Sequence, residues 1–216
     1  MTFKAAFFDM DGLFLDSEPQ WHQSQAELCA RYSYEWDDED QRICIGGPLS
    51  RVGEYIAHTC AHDRTGQQIV DELISMMLIK LSEKALLMPG ALAAVNELRK
   101  KMPVALVSAS PRNLMDAALT TLPDNFFAFT ISADDVERTK PFPDPYLQAA
   151  SRLGVDPCSC IVFEDSLTGI ESAKAAGCFV VAVPHYVDVK IEPRVKVIST
   201  LETVTTELIE GYFSHN

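Results

Sequence analysis

Four short apolar runs, at residues 5–8, 104–107, 129–131 and 160–163, are each followed by turn or polar residues and then a stretch with helical spacing. A fifth run, 179–183, follows Gly177. This alternation predicts buried strands joined by crossover helices, an α/β chain whose parallel sheet is covered on both faces. Residues 16–87 break the rhythm, since they hold no buried-strand run and read as helices at 19–31, 49–60 and 67–84 separated by polar turns. We read them as an inserted helical domain. Pro89 and Gly90 mark the return, with a helix at 91–101, and the chain closes on a strand at 195–198 and a helix at 201–213.

Composition narrows the partners. The chain has 216 residues and is 47% hydrophobic, enough for a sizeable core. Its 18 basic against 31 acidic residues give a formal charge of −13, which argues against affinity built on a phosphate backbone, and so against nucleic acid. No apolar stretch approaches the roughly 20 residues of a membrane span and no leader pattern opens the sequence, so no membrane partner and a cytoplasmic location are expected. Six scattered cysteines form no disulfide framework, and the Cys158–Cys160 pair lacks the second pair or histidine of a zinc site. A monomer or small homo-oligomer is compatible with all of this.

The candidate chemistry sits at strand ends. Asp9 and Asp11 follow the run at 5–8 directly, and in a continuing strand two such carboxylates would share a side and repel. A strand-end cap followed by a simple turn would explain them. A calcium loop does not, since its glycine would come later and it would follow a helix. A third reading makes Asp9 a nucleophile toward phosphorus with Asp11 as acid and base, chemistry that needs a cation to offset the charge. Ser108 and the amides after it end the run at 104–107 and could hold phosphate oxygens, although serine there also suits a helix cap. Lys140, ahead of the stiff stretch Pro141-Phe142-Pro143, is either a solvated loop lysine or a fixed cation. Glu164 and Asp165 end the run at 160–163, and adjacent acids of this kind suit magnesium.

In this order, Asp9-Met10-Asp11-Gly12, Val107-Ser108-Ala109-Ser110, Lys140-Pro141 and Glu164-Asp165-Ser166, the motifs resemble those of the haloacid dehalogenase (HAD) superfamily over nearly the whole chain. The resemblance implies a Rossmann-like core at 1–15 and 88–216 with a helical cap domain at 16–87. It implies Asp9 as nucleophile passing through an aspartyl-phosphate, and Asp11 as general acid and base. It also implies Ser108, Ala109 and Lys140 as phosphate-binding residues, and Mg2+ held by Asp9, Asp11 through its main chain, Asp165 and Glu164. Within the superfamily the chain is similar to the branch containing sugar-phosphate phosphatases and β-phosphoglucomutase, which implies Glu18 and Arg51 as cap residues offered to substrate. The mutases carry a histidine where Trp21 stands here. The expectation is therefore a magnesium-dependent phosphatase of a small phosphorylated sugar or polyol, with a phosphosugar mutase and a non-catalytic phosphoacceptor signalling module as alternatives.

Overall fold

The computed structural model describes residues 3–45, 48–185 and 187–213. Six strands form one sheet in the order β3-β2-β1-β4-β5-β6, namely β1 (Ala5–Phe8), β2 (Val104–Val107), β3 (Thr130–Ile131), β4 (Cys160–Glu164), β5 (Phe179–Ala182) and β6 (Val195–Val197). Every neighbouring pair runs parallel. The central strands β1, β2, β4 and β5 are buried at every position, which is why they read as unbroken apolar runs rather than alternating ones.

Alternate side chains serve the two faces. Ala6, Phe8, Leu106, Ile161, Phe163 and Val181 pack under α5 (Ala91–Leu98), α6 (Arg112–Leu119) and α9 (Thr206–Phe213). Ala5, Phe7, Ala105, Val107, Val162 and Val180 pack under α7 (Asp144–Leu153) and α8 (Leu167–Ala175). This is a Rossmann-like α/β architecture. Because the strands are parallel, their carboxyl ends all open on one edge, where ligands bind in such sheets.

Between β1 and α5 lie four helices, α1 (Glu18–Ala30), α2 (Asp38–Cys44), α3 (Leu49–Thr59) and α4 (Gly66–Glu83), around a core of Leu28, Val52, Ile56, Ile69, Leu73 and Met77. Three of them are the expected ones. The additional helix, α2, is seven residues long and carries three acids in its first turn, too short and polar to show an apolar period. Its start is nevertheless written in the sequence: Asp37 and Asp40 form a reciprocal capping box.

The chain leaves and re-enters the core through one narrow junction. Leu15 and Leu87 form an antiparallel bridge, flanked by hydrogen bonds from Asp16 N to Leu86 O (2.9 Å) and from Met88 N to Phe14 O (3.0 Å). Several ends differ from expectation. β4 runs one residue further, so Glu164 belongs to the strand, and α5 stops at Leu98. The expected helix at 201–213 is a short 3-10 turn, Leu201–Thr203, followed by α9. No helix among the described residues is long and apolar enough to cross a membrane.

Candidate active site

β1 ends before Asp9, whose backbone N–H still reaches Phe163 O on β4 (3.0 Å) and so fixes its side chain over the carboxyl edge of the sheet. The chain then turns through Gly12, at φ +79°, a conformation that favours glycine. Glycine is needed there for a second reason, since a Cβ would lie 2.3 Å from Asp165 Oδ2. The strand therefore does not continue through the two aspartates, although both still line one cavity and the charge of Asp11 adds to the upward push on Asp9.

Lys140 is the hub. Its ammonium contacts Asp9 Oδ1 and donates to Glu164 Oε1 (2.7 Å) and to Val107 O at the end of β2 (2.8 Å). Its side chain is only 3% exposed, so the ion pairs are shielded from water. Glu164, fully buried, also accepts from the Tyr146 hydroxyl (2.6 Å) and from Ser166 Oγ (3.1 Å). The carboxylate fits because residue 169 is glycine: a Cβ there would stand 1.9 Å from Glu164 Oε1.

Asp11 is held separately. Ser17 Oγ donates to its Oδ1 (2.7 Å) and Ser110 Oγ to its Oδ2 (2.6 Å). Ser108 Oγ, almost fully buried, accepts from the Ser110 N–H (2.9 Å), which shapes the loop after β2.

Oxygens of Asp9, Glu164 and Asp165 lie within 4.8 Å of one another. Three carboxylates therefore face one ammonium. Burial, then the charge of Glu164, pushes Asp9 up to about 7 despite Lys140. Burial and then Asp9 push Asp165 well above the usual carboxylate range. Burial also works against the charge of Lys140, but Asp9 and Glu164 outweigh it and hold the ammonium above its ordinary range. Asp165 Oδ1 is buried without a hydrogen-bond partner. A set of hard oxygen donors with excess negative charge and one orphaned oxygen fits a divalent cation such as magnesium.

These groups line a cavity of about 160 Å³ between the sheet edge and the inserted helices. Asp9, Asp11, Ser108, Ala109, Lys140 and Asp165 all reach it from the core, and Glu18 reaches it from the insertion. Glu164 lies beneath, through Lys140. Arg51 is exposed, donates to the carbonyls of Cys44 (3.4 Å) and Ile45 (3.3 Å), and lines a neighbouring cavity with Glu18 and Asp165. Sequence reasoning did not single out Ser17, Tyr146, Gln25 or Gln41. Ser17 stands beside the acidic motif and could have been weighed, whereas the other three signal themselves only through the fold.

The family model for haloacid dehalogenase-like hydrolases matches residues 6–183. The chain is 33% identical to validoxylamine A 7'-phosphate phosphatase of Streptomyces hygroscopicus subsp. limoneus over 184 residues, 84% of this chain and 85% of the relative. It is also 33% identical to hexitol phosphatase B of Escherichia coli (strain K12) over 185 residues, 83% of each. Among solved structures, a β-phosphoglucomutase of Clostridium difficile superposes with a TM-score of 0.81 at 20% identity, covering 99% of this chain and 98% of that one. At that identity the likeness speaks for the fold.

Proposed function

The chain belongs to the haloacid dehalogenase-like hydrolase family, and from that premise we propose that it is a magnesium-dependent phosphatase of a small sugar or polyol phosphate, working through an aspartyl-phosphate on Asp9. The phosphatase relatives support reading it as a phosphoric monoester hydrolase. One observation carries the assignment: a buried ammonium touches the Asp9 carboxylate in the cavity that also holds Asp11 and Ser108.

In this reading an Asp9 oxygen attacks phosphorus while the bond to the leaving oxygen breaks. Asp11, as general acid, gives a proton to that oxygen. As a carboxylate it then takes a proton from water, which attacks phosphorus, breaks the bond to Asp9 and releases inorganic phosphate. Lys140 offsets the charge of nucleophile and phosphate together, and Ser108 with the Ala109 amide receives the phosphate oxygens. Asp9 and Asp165 would hold magnesium, with Glu164 and the Asp11 main chain beside them. When bound, the metal supplies positive charge that lets a carboxylate approach a phosphate dianion.

The division into a core at 1–15 and 88–216 and a cap at 16–87 belongs to the same proposal, supported by the pairing of Leu15 with Leu87 at the junction. Substrate would enter between the two. With magnesium and a hexitol phosphate, the wild type should release inorganic phosphate in step with substrate loss, and Asp9→Asn should abolish release while keeping the fold. Substantial turnover by that variant would refute the mechanism. A mutase would consume substrate without matching phosphate release, and a signalling module would not turn over p-nitrophenyl phosphate repeatedly.

A further inference from the structure

Two amides line the cavity from the inserted helices, and nothing in the phosphoryl chemistry needs either. On α1, Glu18, Trp21 and Gln25 share one face at helical spacing and all three line the cavity. Gln25 is only 4% exposed, and its Oε1 is buried with no hydrogen-bond partner. A buried carbonyl oxygen left in that state is costly unless something donates to it. On α2, Gln41 is its complement. The Gln41 Oε1 accepts from the Trp36 indole Nε1 (3.2 Å), so the Nε2 donors are what Gln41 offers to the cavity it lines. One acceptor and one fixed donor match hydroxyls, which both donate and accept.

Charge restricts the ligand further. Among the described residues lining this cavity, the one cation is Lys140, already engaged by Asp9, Glu164 and Val107 O, while Asp9, Asp11, Glu18 and Asp165 are acids. Arg51 lines the neighbouring cavity instead, where its Nη2 donates to two backbone carbonyls. Within this cavity a second phosphate or a carboxylate on the substrate would therefore meet acids and no further cation.

We propose that Gln25 and Gln41 recognise hydroxyls on an uncharged tail, so that the substrate is the monophosphate of a neutral polyol or sugar and not a bisphosphate or phosphorylated acid. This rests on the phosphatase reading and adds to it the chemistry of the substrate's far end.

The test compares kcat/KM for sorbitol 6-phosphate, fructose 1,6-bisphosphate, 2-phosphoglycolate and p-nitrophenyl phosphate in the wild type, Gln25→Leu and Gln41→Leu. The wild type should favour sorbitol 6-phosphate over the two substrates that carry a second anionic group, fructose 1,6-bisphosphate and 2-phosphoglycolate, by at least about tenfold. In each variant the ratio for sorbitol 6-phosphate over p-nitrophenyl phosphate should fall by about tenfold, the scale of one lost hydrogen bond, mainly through KM. A ratio counts only active enzyme, so partial misfolding leaves it unmoved. If Gln25→Leu does not fold, Gln41→Leu, on a different helix and half-buried, carries the test. Ratios within about threefold of wild type, or equal turnover of the bisphosphate or phosphoglycolate, overturn the inference while leaving a working phosphatase. A wild type that hydrolyses none of the four substrates overturns the parent reading as well.

Discussion

Replacing Lys140 with methionine keeps the length and apolar stem of the side chain and removes only its charge and donors. The buried ammonium faces Asp9 and Glu164 and caps Val107 O, so the variant leaves two buried carboxylates without their counter-ion and one carbonyl without its donor. Breaking a buried pair in this way costs about 3–5 kcal/mol. For a chain of this size each kcal/mol is worth about 2–4 °C in Tm. Thermal unfolding of EDTA-treated protein at pH 8 should therefore show a loss of about 6–20 °C. The sign with pH follows from Asp9, which burial and Glu164 already push up to about 7 and which Lys140 pulls down. Without Lys140 the folded-state value rises further above the unfolded one. The folded variant then keeps the Asp9 proton to higher pH than the folded wild type, so the deficit grows as pH rises past about 7 and shrinks on acidification toward pH 5. A Tm loss below about 3 °C at pH 8, or a deficit that does not shrink on acidification, would refute the picture of Lys140 as the buried counter-ion.

Other consequences are as direct. Gly169→Ala would push a methyl group to within 1.9 Å of Glu164 Oε1, so it should cost about 1–3 kcal/mol in denaturant unfolding and lower turnover by displacing the anchor of Lys140. Burial, then Asp11 and Asp16, push Glu18 up to about 7 from 4.5, so its contribution to stability is present below pH 4.5 and is lost as pH rises past 7. Melts of Glu18→Gln should gain on the wild type between pH 5 and pH 8, and a difference that is flat with pH would contradict this. Magnesium should raise the Tm of EDTA-treated wild type, by about 2.7 kcal/mol of stabilisation at a hundredfold excess over Kd, and Asp165→Ala should lose most of that response.

The strands and the ordered acidic and basic motifs were legible because each is a local signal. A fully buried parallel strand reads as an apolar run, and chemistry placed at its carboxyl end follows it directly in the chain. What escaped depends on contacts between distant segments. Tyr146 meets Glu164 across 18 residues, and Ser110 meets Asp11 across 99, distances at which spacing carries no information. Gln25 falls in a helix that was expected, but which face of that helix turns to the cavity depends on how the insertion docks. The second helix of the insertion, α2, escaped for a different reason: its seven residues cannot complete an apolar period, and only the capping pair Asp37 and Asp40 announces it.

The bonds around Asp11 tie the insertion to the chemistry more closely than the motifs suggest. Ser17 stands at the N-cap of α1, where its hydroxyl would ordinarily accept from a first-turn amide, yet it makes no cap bond and donates to Asp11 Oδ1 instead. A helix start is thus left about 1 kcal/mol weaker than it could be. In exchange, one Asp11 oxygen is fixed by the first residue before the inserted helices and the other by Ser110 in the loop after β2. Ser110 in turn gives its N–H to Ser108, which lines the same cavity. One hydrogen bond thus joins the residue that starts α1 to the Asp11 carboxylate. The helix that brings Glu18, Trp21 and Gln25 to the cavity therefore starts at a residue bonded to the carboxylate proposed to move the proton.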